Sequence, residues 1–93
     1  MTGLMTEIMN DELYRYYPLG QHVVRAVGVC GGRPTFKYTR IETAGTLDRL
    51  ATGENIDEIV TGYRGRVSRE AAVESIQIVT AGFLRALPEL EPA

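Results

Sequence analysis

The residues most able to do chemistry lie in one stretch, GVCGGRPTFKYTRI, residues 28–41, which holds the sole cysteine, three glycines and three basic residues. A reactive thiol needs a base or a helix N-terminus beside it to lower its pKa. His22, the only histidine, is the one candidate partner for Cys30, and nothing in the spacing brings the two together. A lone cysteine reads first as a small packing residue and a lone histidine as a surface or hairpin residue. One Cys and one His also under-ligand a zinc ion, so no metal site is expected. A phosphate-cradling loop needs GxxxxGK followed by Ser or Thr. Here Gly31-Gly32 is followed by Arg33-Pro34, the proline removes an amide, and the lysine is missing. Gly31, Gly32 and Pro34 therefore read as a structural turn. With no Ser-His-Asp set and no paired catalytic carboxylates, the sequence calls for neither an enzyme nor a cofactor.

The elements that must position this stretch follow from periodicity. Leu4, Met5, Ile8, Met9 and Leu13 recur at helical spacing, which predicts a short amphipathic helix or arm over 1–20. Tyr14, Tyr16 and Tyr17 follow it, as a lid over the core or as an interface. Residues 22–29 are β-branched and strand-like, and 35–39 are a second extended piece after the Gly-Gly-Arg-Pro turn, so 22–39 reads as a short β-hairpin. From Ile41 the period becomes helical. Helices are predicted at 43–52, 56–63 and 68–87, stopped by Gly53, opened by Asn55 with Glu58 three residues on, and capped again by Ser68. Ile41, Ala44, Leu47, Leu50 and Ala51, then Ile56, Ile59, Val60 and Tyr63, then Ala72, Ile76, Val79 and Phe83 form the expected buried stripes.

The expected fold is thus mainly α: a short N-terminal β-hairpin plus a three-helix, homeodomain-like helix-turn-helix bundle. It divides into an arm at 1–20, one domain at 21–88 and a flexible acidic tail at 89–93. With 93 residues and no tryptophan the core is small, so help from a second copy is expected. In a helix-turn-helix, the first residues of the second helix reach base edges in the major groove and flanking cations meet phosphates. That assigns Ser68, Arg69 and Val73 to bases, and Arg64 and Arg66 to the backbone of double-stranded DNA, with Lys37 a further candidate for DNA contact. Residues 33–69 carry seven basic and five acidic groups, while the flanks are acidic and the whole chain is at −2. Glu70 and Glu74 fall on the same helical turns and oppose phosphate. The alternative is a homodimeric protein-interaction module without DNA binding. The single cysteine suits a reducing, cytoplasmic setting, the N-terminus lacks the basic lead of a signal peptide, and no apolar run is long enough to span a membrane.

Cys30-Gly31-Gly32-Arg33-Pro34, then Thr39-Arg40-Ile41, Leu50-Ala51-x-Gly53 and Asp57-Glu58-Ile59 resemble the bacterial and archaeal family catalogued as domain of unknown function 433. The resemblance runs over about residues 22–84. Tyr38, where the family commonly has glycine, and Arg64-Gly65-Arg66, where it commonly has a proline turn, depart from it. The resemblance implies a hairpin-flanked helix-turn-helix that dimerises. It also implies an antitoxin-like role, with a PIN-like ribonuclease toxin as partner and repression of its own promoter. Arg40 is expected to pair with a carboxylate or carbonyls across the hairpin–helix junction, or alternatively to meet phosphate.

Overall fold

In a computed structural model of the chain, which describes residues 3–90, four strands precede three helices. The strands are β1 (Met5–Met9), β2 (Glu12–Pro18), β3 (Val23–Ala26) and β4 (Thr35–Phe36). They form one antiparallel sheet in the order β1-β2-β3-β4. The helices are α1 (Ala44–Ala51), α2 (Ile56–Gly62) and α3 (Arg69–Ala86). This corrects the mainly α expectation: the molecule is a mixed α and β fold with its strands gathered at the N-terminal side. No helix of the described residues is long and apolar enough to cross a membrane.

The correction arises at residues 4–18. The expected N-terminal helix is instead a β-hairpin in which Met9 pairs with Glu12. Its two-residue turn, Asn10-Asp11, has φ of 52° and 63°. Positive φ at both central residues gives a primed turn, whose twist matches that of the strands it joins, and Asn and Asp are the non-glycine residues that best tolerate it. Alternation along β2 then buries Tyr14 and Tyr16 and exposes Leu13, Arg15 and Tyr17. The tyrosines pack with Val24 and Ala26 on one face of the sheet. On the opposite face, Val23 and Phe36 meet Val67, Ala71 and Ala72, with Ile56, Val60 and Tyr63 alongside. The sheet thus has an aromatic core on one side and the helical core on the other.

The second hairpin and the helix limits match the sequence expectation closely. Asn55 and Glu58 form a reciprocal capping box at α2, and the Ser68 hydroxyl accepts the Ala71 N–H at α3. Gly53, at φ 99°, supplies the left-handed residue that ends the first helix. Beyond the packing of Ala71 and Ala72, one polar side chain ties helix α3 to the sheet. The Glu74 carboxylate accepts the backbone N–H groups of Gln21, His22 and Val23 at 3.0, 2.7 and 3.1 Å.

Burial along α3 ends early. Ala71, Ala72 and Ser75 are buried, Ile76 and Ile78 partly so, and every described residue from Val79 onward is exposed. Val79 and Phe83, expected in the core, are 45% and 64% exposed, because the body of the domain ends one turn before them. The radius of gyration is 15.1 Å, whereas a compact chain of this length has about 12–13 Å. Part of the tail expected at 89–93 lies outside the described residues.

Candidate nucleic-acid interface

Helix α2, the turn at residues 63–67 and the first turns of α3 carry most of the residues expected to contact DNA. Arg64 takes φ 55° and Gly65 φ 80° to reverse the chain between the helices. Arg64, Arg66, Ser68 and Arg69 are all exposed, and Val73 is half-buried. Val67, between the arginines, is buried in the core and fixes the turn to the domain. Arg69 Nε lies 3.0 Å from Asp57 Oδ1, an ion pair well open to solvent, where such pairs contribute little. Glu74, expected to oppose phosphate, is occupied by the β2–β3 backbone. Glu70 remains exposed on the first turn.

The turn faces a cavity of about 420 Å³ between the helices and the sheet. Lys37, Arg66 and Ser68 line it together with His22 and Gln21. Three of the expected DNA-contacting residues therefore share one concave surface, while Arg64, Arg69 and Val73 lie outside its lining. Lys37 is not a free cation. Its Nζ sits 3.4 Å from Glu7 Oε2 and 4.8 and 4.9 Å from the ring centres of Tyr16 and Tyr38. The Tyr16 hydroxyl contributes most, with Tyr38 and Glu7, to raising the Lys37 pKa above the ordinary lysine value against partial burial. Glu7 in turn accepts the hydroxyls of Tyr16 and Tyr38, which, with Lys37, hold its carboxyl below the usual carboxylate range.

The Cys-Gly-Gly-Arg-Pro stretch is a turn, as its composition suggested. Residues 30–32 wind through φ of 49°, 64° and 80°, a left-handed run that two glycines make accessible. The Cys30 thiol donates to the Arg40 carbonyl at 3.3 Å, and no hydrogen bond joins Cys30 to His22 among the described residues. The Pro34 carbonyl accepts the Thr43 N–H, tying the turn to the start of α1. The expected structural pairing of Arg40 belongs to its neighbour instead. Arg33 grips Glu42 through two N–H donors at 2.7 and 3.3 Å, which lowers the Glu42 pKa and raises that of Arg33. Arg40 keeps an exposed side chain with no ion pair among the described residues.

Residues 23–76, more than half of the chain, match the family model described as protein of unknown function (DUF433). The chain belongs to the DUF433 family. The DUF433 match starts at β3 and ends within α3, so it takes in the Cys-Gly-Gly-Arg-Pro turn and the whole of the α2–turn–α3 element. It stops short of residue 84, to which the sequence resemblance extended. The β1–β2 hairpin and the second half of α3 lie outside it. No curated protein and no solved structure matches this chain.

Proposed function

We propose that this DUF433 protein is a small antitoxin-like regulator that binds operator DNA through α2 and α3 and acts as a homodimer. The single observation that carries the DNA half is the exposed N-terminus of α3, flanked by Arg64, Arg66 and Arg69, on a turn pinned from beneath by buried Val67. Rigid support beneath and exposed guanidinium groups above, Arg69 held only by its solvent-open pair with Asp57, suit an element that enters a groove and meets phosphates on both sides. Glu74, one of the two acids that oppose such docking, is turned onto the backbone N–H groups of residues 21–23, which partly offset its charge.

The partner half rests on α3 beyond Ser75. Val79, Phe83, Leu84 and Leu87 are apolar and 45–64% exposed. A solitary helical extension of this length is marginal in water and gains stability by covering its apolar face. A second copy of the chain, laid helix against helix, supplies that cover. A PIN-like toxin is the further partner that the family resemblance implies.

The test is an electrophoretic mobility shift with duplex DNA from the region upstream of the gene. A salt-sensitive, sequence-preferring shift supports the proposal, and its absence both for the protein alone and with the product of the adjacent gene removes the DNA half. The competing reading, an interaction module with no DNA role, predicts light scattering of a dimer together with no shift.

A further inference from the structure

A second cavity, of about 510 Å³, shares Tyr38 and Arg66 with the first. Its walls come from the turn end of the β1–β2 hairpin, the Val27–Val29 turn, the Tyr38–Arg40 turn and the α2–α3 turn. Three arginines line it: Arg15, Arg40 and Arg66. None of the three has a carboxylate within ion-pair distance among the described residues. The opposing charge in the lining is Glu12 alone, which leaves the walls net positive. By contrast, Arg33, Arg49 and Arg69, elsewhere on the surface, are each matched to a carboxylate.

Two aromatic rings complete the site. Tyr14 and Tyr38 both line it, with centroids 5.3 Å apart and planes tilted by 40°. Tyr38 holds φ 68°, a left-handed conformation that is costly for a bulky aromatic residue. The Tyr38 N–H donates to the Tyr14 hydroxyl at 2.9 Å, and the Tyr38 hydroxyl donates to Glu7 at 2.6 Å. The ring is therefore fixed at both ends in a strained backbone, and such strain gathers where a side chain must be aimed.

We infer that this cavity binds the phosphate of a nucleotide unit, either a free nucleotide or one within a nucleic-acid strand. Guanidinium groups present flat forks of donors that match phosphate oxygens, and three of them suit a doubly charged group better than a single carboxylate. The half-exposed Tyr38 ring, backed by buried Tyr14, offers a stacking surface for a base, and the volume falls in the range of about 300–1,000 Å³ usual for small-ligand sites. Arg66 is shared with the α2–α3 reading, whereas Arg15 and Arg40 belong to other elements, so the test rests on those two.

The chain has no tryptophan and five tyrosines, so its intrinsic fluorescence comes from a small set that includes Tyr14 and Tyr38. The experiment titrates the full chain with adenosine monophosphate, adenosine, inorganic phosphate, citrate and a duplex oligonucleotide. Saturable quenching by adenosine monophosphate, weakened at least tenfold in Arg15→Ala and Arg40→Ala and unchanged in Arg85→Ala, at an exposed arginine of the last turn of α3, supports a free nucleotide as occupant. Tenfold losses in the same two variants confined to the duplex support a strand phosphate. Both arginines are exposed, and circular dichroism verifies that the variants keep the fold. Arg40→Lys, which keeps the charge and loses the fork, is expected between the two. Binding of adenosine or citrate as tight as that of adenosine monophosphate overturns the inference, as does indifference of every ligand to Arg15 and Arg40.

Discussion

Removing the Glu74 carboxylate should loosen the seat of α3 on the sheet. Glu74→Ala leaves three backbone donors without their acceptor, at Gln21, His22 and Val23. Gln21 is exposed and regains a water, whereas the bonds from His22 and Val23 are partly buried. A hydrogen bond to a charged group contributes about 1.5–3 kcal/mol. Counting the two sheltered bonds and allowing for some water access, the loss is about 2–4 kcal/mol. That is a large share of the roughly 5–15 kcal/mol that holds such a domain folded. Gly20 supplies an independent handle on the same contact. A Cβ there would stand 2.5 Å from Glu74 Oε1 and 2.7 Å from its Cδ. Gly20→Ala must therefore push the carboxylate off its donors, for about 1–2 kcal/mol, and should cost nothing once Glu74 is already alanine. Urea unfolding of the two single variants and the double variant measures this coupling. Effects that add within about 0.5 kcal/mol, or a Glu74→Ala loss below that value, would refute the account of how α3 is held.

Three further outcomes are expected. Glu7 has its pKa lowered, first by Tyr16 and then by Tyr38 and Lys37, so its contribution to stability is complete above the ordinary glutamate value near 4.5 and fades as pH falls through the depressed folded value. The difference in melting temperature between the wild type and Glu7→Gln should therefore be greatest at neutral pH and shrink in the acid range, and a pH-independent difference contradicts the cluster. Asn55→Ala breaks the capping box of α2 and should cost about 1 kcal/mol by urea unfolding, with Asn55→Asp close to wild type. If the proposed dimer forms through α3, Phe83→Glu should convert it to a folded monomer by light scattering, while a Phe83→Glu dimer rules out the exposed half of α3 as the contact.

The helical half of the molecule was legible because its signals are local. Gly53, the Asn55–Glu58 pair and Ser68 each punctuate the chain within a few residues, and the structure places the helix ends beside them. The Cys-Gly-Gly-Arg-Pro turn was legible for the same reason. The first hairpin was not. Leu4, Met5, Ile8, Met9 and Leu13 fit a helical stripe about as well as an alternating one, and Asn10-Asp11 lacks the glycine that usually marks a primed turn. The alternation of Tyr14 and Tyr16 with Arg15 and Tyr17 was the signal that could have found it. Missing the hairpin also hid the second cavity, because Arg15 meets Arg40 and Arg66 only when β2 is a strand. Periodicity marked Val79 and Phe83 as apolar, but it cannot say whether the same chain covers them. The Glu74 contact joins residues more than fifty positions apart and leaves no mark in the local pattern.

The central claim, that α3 presents its first turn to DNA, is tested most directly by fluorescence anisotropy with an upstream duplex and a scrambled one, at two salt concentrations. The account predicts a specific complex whose affinity falls with salt. Arg66→Ala should weaken both duplexes alike and reduce the salt slope by about 1. Arg69→Ala should instead narrow the gap between the two duplexes, by about 1–3 kcal/mol if it reads a base edge. Equal effects of the two substitutions on both duplexes, or an affinity indifferent to salt, would contradict the placement of α3 in the groove.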